Sequence, residues 1–223
     1  MRRAEAGDAC LVLVHAPSLE RRYVEEGVLV GGARFAYNYF VIVGPRGDPA
    51  NVSGAASAVE AFRRIYAAGE EGLAVFVSRG DRSGTHVREL ELWRRAGLDP
   101  HGRPWYRESG QGMAQTLIMA DELGAYTLSD IGTFLKLERD GRIPGLRLLY
   151  SGDPSLINIY SVYLVASCRG RERRAAEEFA RFILERQDLI ASYGVDRYGQ
   201  PLFYPAQGRE EWLESQWRTL AGG

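Results

Sequence analysis

The chain has 223 residues, 45% hydrophobic and 26% charged, with a formal net charge of -1. That composition belongs to a folded chain with a sizeable core and excludes a low-complexity or disordered one. The balanced charge leaves no electrostatic footprint for nucleic acid or an anionic membrane, and no apolar run reaches membrane-spanning length. Of the 28 basic residues only Lys136 is a lysine.

Taken in chain order, strand-like and helix-like segments alternate, which predicts an α/β fold. Ala9 to Val14 is almost wholly apolar and reads as a buried parallel strand. Little precedes it, so a sheet built from these parts must supply it with a neighbour. Leu19 to Glu26 reads as a helix stopped by Gly27, and Phe40 to Val43 as an apolar strand ended by Gly44-Pro45. Val59, Phe62, Ile65 and Tyr66 give Ala55 to Ala68 a helical period. Strand Leu73 to Val77 leads through a polar loop into a helix, Val87 to Ala96, stopped by Gly97. Met113 to Leu123 reads as a helix with Gly124 as its stop. Thr127-Leu128-Ser129-Asp130 reads as an N-cap with an acid three residues on, opening a helix to about Glu138. Leu146 to Tyr150 and Tyr160 to Ala166 are strands, and Arg171 to Arg186 is an amphipathic helix. From Tyr193 onward the tail mixes aromatics, prolines and charge.

Cys10 and Cys168 lie in apolar, strand-like runs and by default read as buried free thiols; a bridge would need their strands to be adjacent, which an α/β fold of these parts allows without requiring. His15, His86 and His101 are scattered and form no zinc pattern with the cysteines. Residues 1–8 carry two arginines but no apolar stretch after them, so the chain as written does not open with a signal peptide and reads as cytoplasmic.

The chemistry concentrates in Ser78-Arg79-Gly80-Asp81-Arg82-Ser83-Gly84-Thr85-His86, between the strand and the helix. The first N–H groups of a helix have no intrahelical partner and carry partial positive charge. Arg79 can add a charged fork of donors, and Ser78, Ser83 and Thr85 can add hydroxyls. Gly84, Thr85 and His86 offer backbone N–H groups, and glycine lets backbone approach a ligand closely. A tetrahedral dianion accepts hydrogen bonds and donates none, so a site made only of donors suits it. The same residues also fit a plain helix cap beside a surface Arg–Asp pair, and spacing alone does not separate the two readings. Gln111 and Gly112 open a second helix that either faces the same site or is a simple loop-to-helix turn. His15 reads as structural. Neither a lysine-bearing phosphate loop nor a carboxylate cluster for magnesium is present, which argues against phosphoryl transfer and against an enzyme.

The Ser-Arg-Gly-Asp-x-Ser-Gly-Thr-His motif resembles the substrate-binding proteins of tungstate ABC transporters. Further segments agree in order: Gly7-Asp8-Ala9, Leu11 to Pro17, Tyr37 to Pro45, Gly110-Gln111-Gly112-Met113, Ala125 to Asp130, Gly152-Asp153-Pro154 and Asn158-Ile159-Tyr160. The resemblance covers about residues 5 to 195. It implies a type II periplasmic-binding-protein-like fold, with two α/β lobes joined by two hinge strands. Residues 1–40 with 158–223 would form a first lobe, incomplete at its N-terminus, and 41–157 a second. Asn38 and Asn158 would flank the hinge on which the lobes close.

The resemblance further implies a protein, without cofactor or catalysis, that binds tungstate or molybdate between the lobes. It would hand the anion to an ABC transporter permease, working outside the cytoplasm as a monomer. Arg79 and Thr85 are the binding residues it supports most directly, with Ser83, Gly84, Ser78, Gln111 and Gly112 beside them. Two departures stand out. The family opens with a signal peptide and a Thr-Thr-Thr-Ser segment that supplies first-lobe donors; neither occurs here, so the chain as written is expected to bind weakly. Either its true start lies upstream or it is a truncated relative. Tyr39 also stands where the family usually has an acid. Asp81 keeps a second ligand open, because phosphate-binding proteins of this fold share the Arg-x-Asp-x-Ser-Gly-Thr spacing. A carboxylate can accept the proton of phosphate, or it can orient Arg79. An intracellular oxyanion sensor is the remaining alternative if Met1 is the true start.

Overall fold

The apolar run around Phe40 proves to be the end of a much longer strand. The computed structural model describes residues 1–222 and forms two compact units, Met1–Asn38 with Asn158–Gly223, and Tyr39–Ile157. The chain begins with a short helix α1 (Arg2–Glu5), strand β1 (Leu11–Val14) and helix α2 (Pro17–Glu25). Pro17 occupies the first helical turn, where its missing N–H is not needed, and Gly27 at φ 72° turns the chain out of the helix. Strand β2 (Leu29–Pro45) then runs from the first unit into the second. The expected four-residue strand was only its most apolar stretch. The Val30-Gly31-Gly32-Ala33 segment hid the rest, because paired glycines read as a break. Gly32 is required there: a Cβ would sit 2.2 Å from the Tyr163 ring.

The second unit holds helix α3 (Ala58–Glu70), strand β3 (Phe76–Ser78), helix α4 (Gly84–Ala96), strand β4 (Tyr106–Glu108) and helix α5 (Met113–Leu123). Strand β5 (Thr127–Asp130), helix α6 (Ile131–Arg139) and strand β6 (Leu146–Tyr150) follow. The Phe40–Pro45 end of β2 pairs antiparallel with both β5 and β6. β3 pairs parallel with β4 and is joined to the β5 side by backbone bonds between Val75, Val77 and Tyr126. Phe62, Phe76, Trp93, Trp105 and Tyr126 fill one core, and Val43, Val77, Leu117, Phe134 and Leu146 another. The predicted capping box at Thr127 is corrected here. Thr127 to Ser129 are buried strand residues, and Asp130 is the cap that accepts the Thr133 N–H at 2.8 Å.

The chain returns through strand β7 (Ile157–Val165) to helices α7 (Gly170–Glu185), α8 (Gln187–Ser192) and α9 (Val195–Tyr198), strand β8 (Tyr204–Pro205) and helix α10 (Glu210–Gly222). In the first unit the order is β1-β7-β2, with β8 against the Ala36–Tyr37 stretch of β2. β1 is antiparallel to β7 and only partly buried, not a buried parallel strand. The neighbour it needed is β7. Cys10 and Cys168 are also corrected: they form a disulfide, with Cα atoms 5.2 Å apart, that staples the start of β1 to the end of β7. The β1–β7 pairing brings the two strands together, a fact the sequence could not supply. His15 is structural, with Nδ1 2.9 Å from Asn158 Oδ1 and its ring stacked on Tyr160. Asn38 and Asn158 are buried side by side, the Asn158 amide donating to Asn38 Oδ1 at 2.9 Å. Among the described residues no helix is long and apolar enough to cross a membrane.

Candidate functional site

β3 and β4 end in register, Ser78 opposite Glu108, and a loop leaves each strand to start a helix. Loop 79–83 opens α4 and loop 109–112 opens α5. The loops are tied by Ser109 N–H to the Ser78 carbonyl and Gly110 N–H to the Arg79 carbonyl, each 2.9 Å. Ligands of α/β sheets commonly bind beyond the carboxyl ends of parallel strands, where such helix N-termini converge. The structure therefore brings Gln111 and Gly112 beside the Arg79 loop, in the same unit.

Ser83 is the N-cap of α4, its hydroxyl oxygen accepting the His86 N–H at 3.4 Å. Gly84 and Thr85 are the first two helical residues, so their N–H groups have no carbonyl within the helix to bond. Thr85 is buried. The His86 N–H, read from sequence as a donor to ligand, is used by the cap. Its ring takes a different part. Nδ1 accepts the Arg82 N–H at 3.0 Å, which places the ring proton on Nε2. Nε2 is buried without a partner. Burial holds the imidazole below its ordinary range against the pull of Asp81 and Glu108, so the ring is a neutral donor.

Arg79 is the charge of the site. One terminal nitrogen donates to Asp81 Oδ2 at 2.5 Å, while its Nε is buried with no partner. Asp81 is held from the other side by the Ser83 N–H at 3.0 Å. Burial pushes the Asp81 carboxyl up, but Ser83 and Arg79 together outweigh it and hold the group ionised, below the usual range. Asp81 thus orients Arg79. Gly80, at φ 63°, takes a left-handed turn in which a Cβ would meet Glu108 Cβ at 2.9 Å. Arg82 is also left-handed, at φ 58°, and its bond to His86 helps hold that turn.

Ser78 lies beneath the loop. It is fully buried, its hydroxyl donates to Glu89 Oε2 at 2.7 Å, and its oxygen accepts the Gly80 N–H at 3.2 Å. Glu89 was missed from sequence, as were β4 and the bond at 2.8 Å between the Ser109 and Thr116 hydroxyls under Gln111. A signal existed for Glu89. Thr85, Glu89, Leu92, Trp93 and Ala96 share the buried face of α4, and a carboxylate on such a face needs donors.

A family model described as a PBP superfamily domain matches residues 1–187. The chain belongs to the PBP superfamily. This superfamily chain is 42% identical over 208 residues to an ABC transporter anion-binding protein of Haloferax volcanii, covering 91% of itself and 59% of that relative. It is 38% identical to the tungstate-binding protein TupA of Peptoclostridium acidaminophilum, covering 89% of itself and 69% of the relative. The solved structure of the tungstate-binding protein TupA from Desulfovibrio alaskensis superposes with a TM-score of 0.74 at 37% identity, covering 92% of this chain and 81% of that one. The expected α/β class and superfamily are borne out.

Proposed function

We propose that this chain binds a tetrahedral oxyanion, tungstate or molybdate, at the start of α4 and serves as the solute-binding component of an ABC transporter. The observation that carries the reading is the pair of buried donors without partners, Arg79 Nε on the loop and His86 Nε2 in the first turn of α4, beside a loop carboxylate, Asp81, that is already engaged. Buried donors left unpaired are costly, roughly 1–3 kcal/mol each, and an acceptor-only anion satisfies them. Arg79, Ser83, Gly84 and Thr85 supply charge, hydroxyls and helix N–H groups. Gln111 and Gly112 supply the neighbouring helix start. Ser78 acts through the loop, its proton being given to Glu89. The relatives named as tungstate-binding and anion-binding proteins support the ligand class and the transporter. Phosphate is the lesser fit, because Asp81 already accepts from Arg79 and Ser83.

The protein acts as a carrier without catalysis, its partner a permease. A disulfide closing a span of 158 residues supports a working place outside the cytoplasm, where such bonds persist. Isothermal titration with tungstate, molybdate, phosphate and sulfate tests the reading. Saturable heat with tungstate and molybdate, and none with phosphate or sulfate, is expected. Binding of phosphate alone, or of no anion, would overturn it.

A further inference from the structure

We propose that Glu89 is a positioning residue of the anion site: through Ser78 its carboxylate shapes the loop that presents Arg79, and its protonation state sets how strongly that loop holds an anion. The inference rests on the function proposed above. Its basis is a chain of contacts. Glu89 Oε2 accepts the Ser78 hydroxyl at 2.7 Å; the Ser78 oxygen, so oriented, accepts the Gly80 N–H; and Gly80 turns the backbone between Arg79 and Asp81. Glu89 Oε1 accepts from Tyr106 at 2.7 Å and from Trp93 Nε1 at 3.2 Å.

Every one of these donors is neutral. Of the charged and titratable groups around Glu89, its own helix carries Arg88, paired with Glu91, and the neutral His86. β4 brings Tyr106 and the like-charged Glu108. The loop above brings Arg79 and Asp81, which pair with each other. On α3, Arg63 bonds the Ala96 carbonyl, and on β5, Asp130 caps α6. The carboxylate therefore has burial against it and no cation of its own. Burial pushes it up to about 7, so both of its forms are populated near neutrality.

The two forms differ at the loop. Ionised, Glu89 draws the Ser78 proton inward and places a negative charge under the anion site. Protonated, it removes that charge and can itself donate to Ser78, freeing the Ser78 proton. An arriving dianion favours the second form, so binding takes up a proton and affinity falls as pH rises through neutrality.

The test titrates sodium tungstate into the full chain and its Glu89→Gln and Glu89→Ala variants between pH 6.5 and 8.5. Amide hydrogen exchange over residues 78–83 is followed without ligand. For the parent, Kd is expected to rise at least fivefold across the range, and for Glu89→Gln to stay within twofold. Glu89→Ala is expected to bind at least tenfold more weakly than the parent at pH 6.5 and to exchange the Gly80 amide faster, whereas Glu89→Gln, uncharged like the protonated acid, is expected to keep the parent's pH 6.5 affinity and to slow the Gly80 exchange again. A Glu89→Gln variant that keeps the parent's pH slope overturns the inference, since the slope then belongs to His86 or another group. So does a Glu89→Ala variant with unchanged Gly80 exchange. If the parent gives no tungstate heat, the proposed function fails, and the exchange measurement still decides whether Glu89 holds the loop.

Discussion

Glu20 in the first unit and Glu89 in the second are both carboxylates almost wholly removed from solvent, and they are held in opposite ways. Glu20 accepts the Ala16 N–H at the start of α2, Trp217 Nε1 at 2.7 Å and the Tyr163 hydroxyl at 3.1 Å. A cation stands beside it: Arg34, 4.0 Å away, lies between the Tyr163 and Trp217 rings and also pairs with Glu214. Glu89 has three neutral donors and no cation. The first arrangement clamps α10 against α2 and the strands beneath. The second leaves a charge poised under a loop. Burial pushes both carboxyls up, but only Glu20 has a cation beside it that favours its charged form.

The units differ in the same sense in what keeps them folded. Among the described residues the second has two aromatic and aliphatic cores, whereas the first has one small cluster around Tyr23, Leu29, Tyr163 and Val165, with Leu13, Phe179, Phe182, Leu189 and Tyr193 left exposed. An apolar cavity of about 460 Å³ lined by Leu13, Phe35, Tyr160, Tyr193 and Phe203 lies in that first unit. The disulfide and the Glu20 clamp compensate for this thinner packing. Replacing both Cys10 and Cys168 by serine is the sharpest way to break the contrast. It should remove roughly 2–5 kcal/mol, and thermal melting should fall by about 4–20 °C at ~2–4 °C per kcal/mol. Glu20→Ala comes next. It leaves the Ala16 N–H, the Trp217 indole N–H and the Tyr163 hydroxyl without their acceptor, and Arg34 with Glu214 as its remaining carboxylate; it should cost about 3 kcal/mol, read as loss of protection in α2 and α10 by hydrogen exchange.

Changes in the anion loop should do the reverse, affecting binding and leaving melting nearly unmoved. Arg79→Ala should weaken tungstate affinity about a hundredfold, the loss of one or two charge-assisted bonds. Arg79→Lys should restore it only in part, because lysine lacks the fork that meets Asp81 and an anion at once. The smallest effect belongs to Thr85→Ala, about tenfold for one neutral hydroxyl. Calorimetry on the three variants ranks them.

Much of this was legible in the residues. The helix of α5, from Met113 to a glycine stop at Gly124, is the one predicted, because periodicity and breaker coincide. The motif from Ser78 to His86 pointed to a helix N-terminus with an arginine beside it, and local chemistry delivers that arrangement. What escaped depended on distant partners. β4 is three residues long and strand-like only because β3 lies beside it. The Cys10–Cys168 bond depends on the β1–β7 register, and α10 is helical where Trp217 and Leu213 find partners in the first unit. His86 and Glu89 carry their roles in side-chain direction, which spacing alone does not fix.

The central claim is that Arg79 and the start of α4 hold the anion. Equilibrium dialysis against sodium tungstate, with tungsten counted per chain by elemental analysis, tests it on the parent and Arg79→Ala proteins side by side. One tungsten per parent chain and almost none on a folded Arg79→Ala chain is the predicted result. Equal tungsten on both would contradict the account and move the site elsewhere.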